Sequence, residues 1–162
     1  MECSECNKKI NGHEYFMVDQ LPVCYRCLFG KVKPLLMYPI GSVKQVNPDG
    51  ISRIELFTYQ RRFLYKLEEE KQISIIYYLH MTDHISTKFK RGKEGNGKEV
   101  GVFASRTPHR TSRIAVSDVE LIGVNNVTIY VRGLDAFEGS PVLDIKAIKN
   151  NSGKLSRQGV RY

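Results

Sequence analysis

The four cysteines of the chain fall close together near its N-terminus, as two C-x-x-C pairs: Cys3 with Cys6, and Cys24 with Cys27. That spacing constrains folding more than any other feature. Each pair can close a tight knuckle presenting two thiolates, and the segment between the pairs is long enough to return as a hairpin, the arrangement of a tetrahedral zinc site. Asn11 and Gly12 signal a turn, and Tyr15, Phe16, Met17 and Val18 read as a strand. Leu28, Val32, Leu35 and Leu36 are spaced as one face of a helix. A helix starting at the second pair would turn its positive end towards the thiolates. Residues 1–36 therefore read as a treble-clef or zinc-ribbon finger with a structural zinc on Cys3, Cys6, Cys24 and Cys27. Four cysteines close the coordination shell, which argues against catalytic zinc. Disulfide pairing is the competing use of these residues, but no secretion signal accompanies them. His13 reads as a hairpin surface residue rather than a ligand. So small a unit has little core, and the metal would supply much of its folding free energy.

Lys31, Lys33 and Pro34 mark the exit from the finger. Beyond them the chain changes to short apolar runs separated by turn signals. Pro39 to Val43 alternates weakly, and Asn47-Pro48-Asp49-Gly50 is a strong turn before a run over 51–57. Residues 59–71 have helical spacing at Phe63, Leu64 and Leu67, which fits a short solvated helix packed on one face. Residues 73–79 are the most apolar stretch and predict a central strand. His80 closes it, and a histidine at a strand end serves as readily to bond backbone as to bind a ligand. His80, Asp83 and His84 are too loosely spaced to suggest a metal site. Residues 86–99 are polar and basic and predict a mobile loop. Strand, turn and strand follow at 119–124, Asn125-Asn126 and 127–131, then a last strand at 142–148. With 162 residues and 41% hydrophobic content, one core plus a small appendage is the natural scale. The expectation is a mostly β domain after the finger, for which closure into a small barrel would remove exposed edges, followed by a basic flexible tail at 151–162.

The formal charge of +8 and isoelectric point near 9.4 favour a polyanionic partner, nucleic acid first. The cations cluster at Lys88, Lys90, Arg91, Lys93 and Lys98, and again at Lys146, Lys149, Lys154, Arg157 and Arg161. No apolar run reaches the ~18 residues of a membrane span, and there is no signal pattern, so the expectation is a soluble cytoplasmic protein with no membrane contact. Walker, Rossmann and nucleophile-elbow motifs are absent from the sequence.

Residues 101–117 read GVFASRTPHRTSRIAVS: an apolar run expected to be a strand, a basic loop, and a second strand. Residues 133–147 read GLDAFEGSPVLDIKA. These two segments resemble the motifs of the TsaA/TrmO family, whose members are S-adenosylmethionine-dependent tRNA methyltransferases of a β-barrel type. Weaker similarity at 39–43 and 76–80 extends the resemblance to roughly residues 37–150. The chain departs from the family pattern at Thr111, Ser112, Arg113 and Ala115, and at Lys71 and Gln72.

The resemblance implies S-adenosylmethionine as cofactor, bound by His80, Met81, Arg106, Val116, Glu138, Gly139, Ser140 and Pro141. A carboxylate suits Arg106, a sulfonium suits Glu138 or Asp135, and a glycine turn lets backbone approach a ligand. Asp135, Glu138 and His80 become the candidate bases. Arg110, Arg113, Lys146, Lys90 and Arg91 become candidates for RNA contact. Asp135 and Lys146 serve equally well as turn or ion-pair residues. The implied reaction methylates the exocyclic nitrogen of threonylcarbamoyladenosine beside the anticodon, in a homodimer. Two alternatives stay open: a non-catalytic RNA-binding protein with a degenerate barrel, and a methyltransferase of a small molecule or protein.

Overall fold

The computed structural model describes residues 1–12, 14–92 and 97–148. The readings of His13, of Lys93, of Lys149 and of the tail 151–162 lie outside these. Six strands close an antiparallel barrel in the order β10-β3-β4-β9-β8-β5: β3 Gly41–Val46, β4 Ile51–Leu56, β5 Gln72–Tyr78, β8 Ile114–Asn125, β9 Thr128–Arg132 and β10 Pro141–Ala147. The expected mostly β barrel is therefore what forms. Alternation drives the closure, since every second side chain of a strand faces one side. On β5 these are Ile73, Ile75 and Tyr77, and they meet Val43, Ile54, Ile129, Val131 and Val142 inside. Burying each such aliphatic side chain contributes about 1.5–3 kcal/mol relative to exposure. β3 and β4 approach so closely that a Cβ on Gly41 would lie 2.3 Å from the Glu55 carbonyl oxygen. The Asn125-Asn126 turn joins β8 to β9, with Asn126 at φ 57°.

Several local expectations are corrected. Residues 59–71 form no α-helix but two 3-10 turns, at Thr58–Phe63 and Leu67–Glu69. Leu64 is buried while Phe63 is exposed, because tertiary packing selects one residue of the pair rather than a helical stripe. The expected strand at 102–104 is a 3-10 turn, Val102–Ala104. It follows β6 Lys88–Lys90 and β7 Glu99–Gly101, which pair antiparallel at the two ends of the stretch expected as a loop; residues 93–96 of that stretch lie outside the described residues. The central strand expected at 73–79 does form, as β5, paired with β8 on one side and β10 on the other and buried on alternate residues.

In the N-terminal unit, β1 Tyr15–Val18 and β2 Leu21–Cys24 pair across Asp19 and Gln20, both at positive φ, as a tight primed turn requires. Helix α1 follows but spans only Tyr25–Phe29. Gly30 at φ 72° stops it, and Pro34 follows, so Val32, Leu35 and Leu36 are exposed instead of forming a helical face. The unit is tied to the rest of the chain at its hairpin tip. Val18 bridges Ile85, the Asp19 N–H donates to the Ile85 carbonyl at 2.9 Å, and Ile85 packs with Val18 and Val23 in a small second core.

Candidate functional site

A cleft of about 1020 Å³ opens where β5 ends and β8 begins. Four elements build it. The end of β5 delivers His80 and Met81. The loop after the Val102–Ala104 turn delivers Arg106 and Arg110. The start of β8 delivers Val116. The β9–β10 connection delivers Asp135, Glu138 and Ser140. These eight expected residues, far apart in sequence, line one cavity. Gly139 and Pro141 are not among its lining, although Gly139 reaches it indirectly: a Cβ there would sit 3.6 Å from His80 Nε2. Ser140 Oγ lies 3.3 Å from His80 Nδ1, which fixes the ring beside the turn.

The charges of the cleft are mixed in a useful way. Asp83, Asp118, Asp135 and Glu138 supply carboxylates, and all are exposed to it. Arg106 is exposed and donates no side-chain hydrogen bond among the described residues, so its guanidinium is available. Arg110 is spent on its own loop, donating from Nη2 to the Ser105 carbonyl at 2.7 Å and from Nε to the Thr107 carbonyl at 3.0 Å. At the floor, the Tyr77 hydroxyl donates to the Asp135 carbonyl and lies 3.3 Å from Ser117 Oγ. Burial pushes the Tyr77 phenol up from its ordinary value, so it stays a neutral donor. A carboxylate-bearing cation such as S-adenosylmethionine fits this donor set: one free guanidinium for its carboxylate, several carboxylates for its positive charge.

The remaining candidates lie elsewhere. Arg91 borders a second, shallower groove of about 550 Å³ with Phe89, Phe103 and Arg106, and donates to the Ala104 carbonyl at 2.6 Å. Lys90 is exposed on β6. Lys146 pairs with Asp144 at 2.6 Å. Arg113 turns to the N-terminal unit, its guanidinium 5.6 Å from the Phe16 ring centre.

Sequence reasoning missed Asp118, Tyr77 and the pair His84 and His109. Asp118 follows Val116 by two on β8, so strand periodicity was the available signal. His84 and His109 stack at 3.8 Å, and Asp83 Oδ1 lies 2.7 Å from His84 Nδ1. Nothing in the sequence joins residues 84 and 109. Among the described residues, His80, Asp83 and His84 belong to no group that could hold a metal ion.

The four cysteines do form such a group, with sulfurs all within 4.8 Å of one another and none in a disulfide. Cys3 and Cys27 sulfurs are 3.9 Å apart and those of Cys6 and Cys24 4.0 Å. A tetrahedral zinc with ~2.3 Å bonds sets such edges at about 3.8 Å. The Cys24 N–H, donating to Cys3 Sγ, is the largest cause holding that thiol down at about 6. The neighbouring sulfurs of Cys24 and Cys6 push Cys27 up to about 12. Four sulfurs this close resist joint ionisation unless a cation sits among them, so the set fits a structural metal.

The chain is thus a small closed antiparallel β-barrel with a mixed-charge cleft beside a glycine turn. The family model of the tRNA-methyltransferase O N-terminal domain matches residues 39–152, and the chain belongs to that family. An S-adenosyl-L-methionine-binding protein of Archaeoglobus fulgidus is 35% identical over 124 residues, covering 69% of this chain and 88% of that protein. The human tRNA (adenine(37)-N6)-methyltransferase is 36% identical over 95 residues, 58% of this chain but only 22% of the relative. The chain thus spans about a fifth of the human protein's length. The crystal structure of TrmO from Pseudomonas aeruginosa superposes with a TM-score of 0.59 at 23% identity, covering 80% of this chain and 64% of that one, a likeness of fold. No helix among the described residues is long and apolar enough to cross a membrane.

Proposed function

We propose that the protein is an S-adenosylmethionine-dependent methyltransferase acting on tRNA, with the exocyclic nitrogen of threonylcarbamoyladenosine beside the anticodon as methyl acceptor. The observation that carries this reading is the convergence of Arg106, Glu138, Asp135 and His80 on one cleft. Bound there, the cofactor would supply an activated methyl group for transfer to nitrogen. Arg106 would hold its carboxylate. Asp135 and Glu138 would face its positive charge. Met81, Val116, Ser140 and the 139–141 turn shape the walls. The acceptor's N–H proton needs a base as the N–C bond forms and the S–C bond breaks, and His80, in contact with Ser140 and lining the same cleft as Asp135 and Glu138, is the candidate.

The shallower groove supports an RNA substrate. It shares Ser105 and Arg106 with the cleft, and Phe103, 84% exposed, lines it together with Arg91 and Arg106. An exposed aromatic ring in a basic groove is a platform for an unstacked base. Lys90 then meets phosphate. Arg91, Arg110, Arg113 and Lys146 have protein partners, which leaves them a smaller part in RNA contact.

A cysteine-bound zinc, a division into a finger at 1–36 and a barrel at 37–150, a homodimer and a cytoplasmic location complete the reading. Titration with S-adenosylmethionine tests it. Saturable binding, and methyl transfer to tRNA carrying the modified adenosine, are expected. Absence of binding at millimolar cofactor overturns it.

A further inference from the structure

The N-terminal unit contacts the cleft-forming segments directly. The hairpin tip meets residues 85–87: the Ile85 N–H donates to the Met17 carbonyl at 3.2 Å, and the Asp19 carboxylate accepts the Thr87 N–H at 3.0 Å and its hydroxyl. Residues 86 and 87 in turn hold the loop that carries Arg106. The Ser86 N–H donates to the His109 carbonyl at 3.0 Å, and the Val102 N–H to the Thr87 carbonyl at 3.0 Å. The far end of that loop is gripped by the same unit, because Arg113 lies over Phe16 while its carbonyl accepts the Leu79 N–H at 2.8 Å, next to His80. Arg113 adopts φ 51°, an unfavourable conformation for a residue with a Cβ, so the surrounding contacts must hold it there.

We infer that Phe16 and Asp19 are positioning residues for the cofactor cleft, acting through Arg113 and Thr87 to fix both ends of the loop that presents Arg106. This rests on the reading that the cleft takes S-adenosylmethionine. It also gives a use to residues 111–113, where the chain departs from the family pattern: Arg113 is the point at which the N-terminal unit meets the loop. Without the brace, the loop samples arrangements in which Arg106 does not face the cleft, and cofactor affinity falls by the fraction of molecules misarranged.

The test uses the full metal-loaded chain and the variants Phe16→Leu, Phe16→Tyr and Asp19→Ala. Phe16→Leu and Asp19→Ala are expected to weaken S-adenosylmethionine binding by about tenfold, as when roughly a tenth of molecules keep the competent loop. Metal content stays unchanged, and Phe16→Tyr, which keeps the ring face, restores affinity. Amide hydrogen exchange at 102–113 is expected to accelerate in the same two variants without any ligand. Affinity and exchange both unchanged, with the hairpin contacts removed, would overturn the inference. Failure of the parent protein to bind the cofactor would remove the cleft reading, while exchange at 102–113 still decides whether the hairpin braces the loop.

Discussion

His80 Nδ1 and Ser140 Oγ lie 3.3 Å apart across the cleft wall, and Gly139 packs its bare Cα face against the same ring. Gly139 has φ 84°, where a side chain is strained whatever the space. Gly139→Ala is therefore expected to lose about 1–2 kcal/mol of stability from backbone strain. The added methyl, 3.6 Å from His80 Nε2, makes ordinary contact, so cofactor affinity should fall through turn distortion rather than a clash. Denaturant unfolding followed with cofactor titration separates the two effects. Unchanged stability would mean that the turn relaxes to accept a side chain.

Arg106 is exposed and free of hydrogen-bond partners among the described residues, so its removal leaves no buried group unsatisfied. Arg106→Ala should keep the melting transition of the parent. A charge-assisted hydrogen bond is worth about 1.5–3 kcal/mol, so cofactor affinity should drop roughly 10- to 150-fold. Calorimetric titration measures this directly, and unaltered affinity would remove Arg106 from the site.

The barrel was legible because its strands alternate and its turns carry Asn, Gly and Pro at the points of reversal, as at 47–50 and 125–126. The residues brought to the cleft were legible only through the family motifs. Periodicity and spacing by themselves reached no further than a basic β domain with a metal finger. What stayed hidden depended on contacts between distant segments. Leu28, Val32, Leu35 and Leu36 keep a helical spacing that Gly30 and Pro34 cancel. Phe103 looks like a strand residue, yet it sits on a 3-10 turn with its ring in solvent. Arg113 reads as one more RNA-facing cation until Phe16 is placed beneath it. No local pattern announces a cation–π contact between residues that far apart in sequence.

The stacked pair His84 and His109 makes a pH prediction. Burial is the largest cause lowering His109 below its ordinary 6.5, and His84 adds to it while Asp83 opposes it. A histidine held neutral in the fold contributes its full stability above the unfolded value and loses it as pH falls through the lowered folded value. Thermal stability should therefore decline as pH falls below about 6.5, before carboxylates titrate. His109→Gln should flatten that part of the profile. An unchanged slope in the variant would assign the decline to another group.

Phe103 offers its ring to solvent at the edge of the Arg91–Arg106 groove. Base stacking on an aromatic ring is worth about 1–3 kcal/mol, so Phe103→Ala should weaken tRNA binding roughly 5- to 150-fold. Phe103→Trp should retain it, since any flat ring serves. Cofactor affinity should not change, because Phe103 does not line the cleft. Equal tRNA affinity for Phe103→Ala and the parent would place the substrate on another face.

Cys24 joins the cysteine cluster to the hairpin, being the last residue of β2 and the residue whose N–H meets Cys3 Sγ. Cys24→Ser removes one of the four candidate metal ligands. Metal content by atomic absorption should fall well below one equivalent, and added chelator should strip the remainder faster than from the parent. The six-stranded core does not include the cysteines, so the barrel's cooperative unfolding should persist. The small core of Val18, Val23 and Ile85 should loosen, seen as faster amide exchange at 85–87. Metal content equal to the parent's would refute the four-cysteine site. Loss of metal with full protection at 85–87 would show that the hairpin holds its place without the ion.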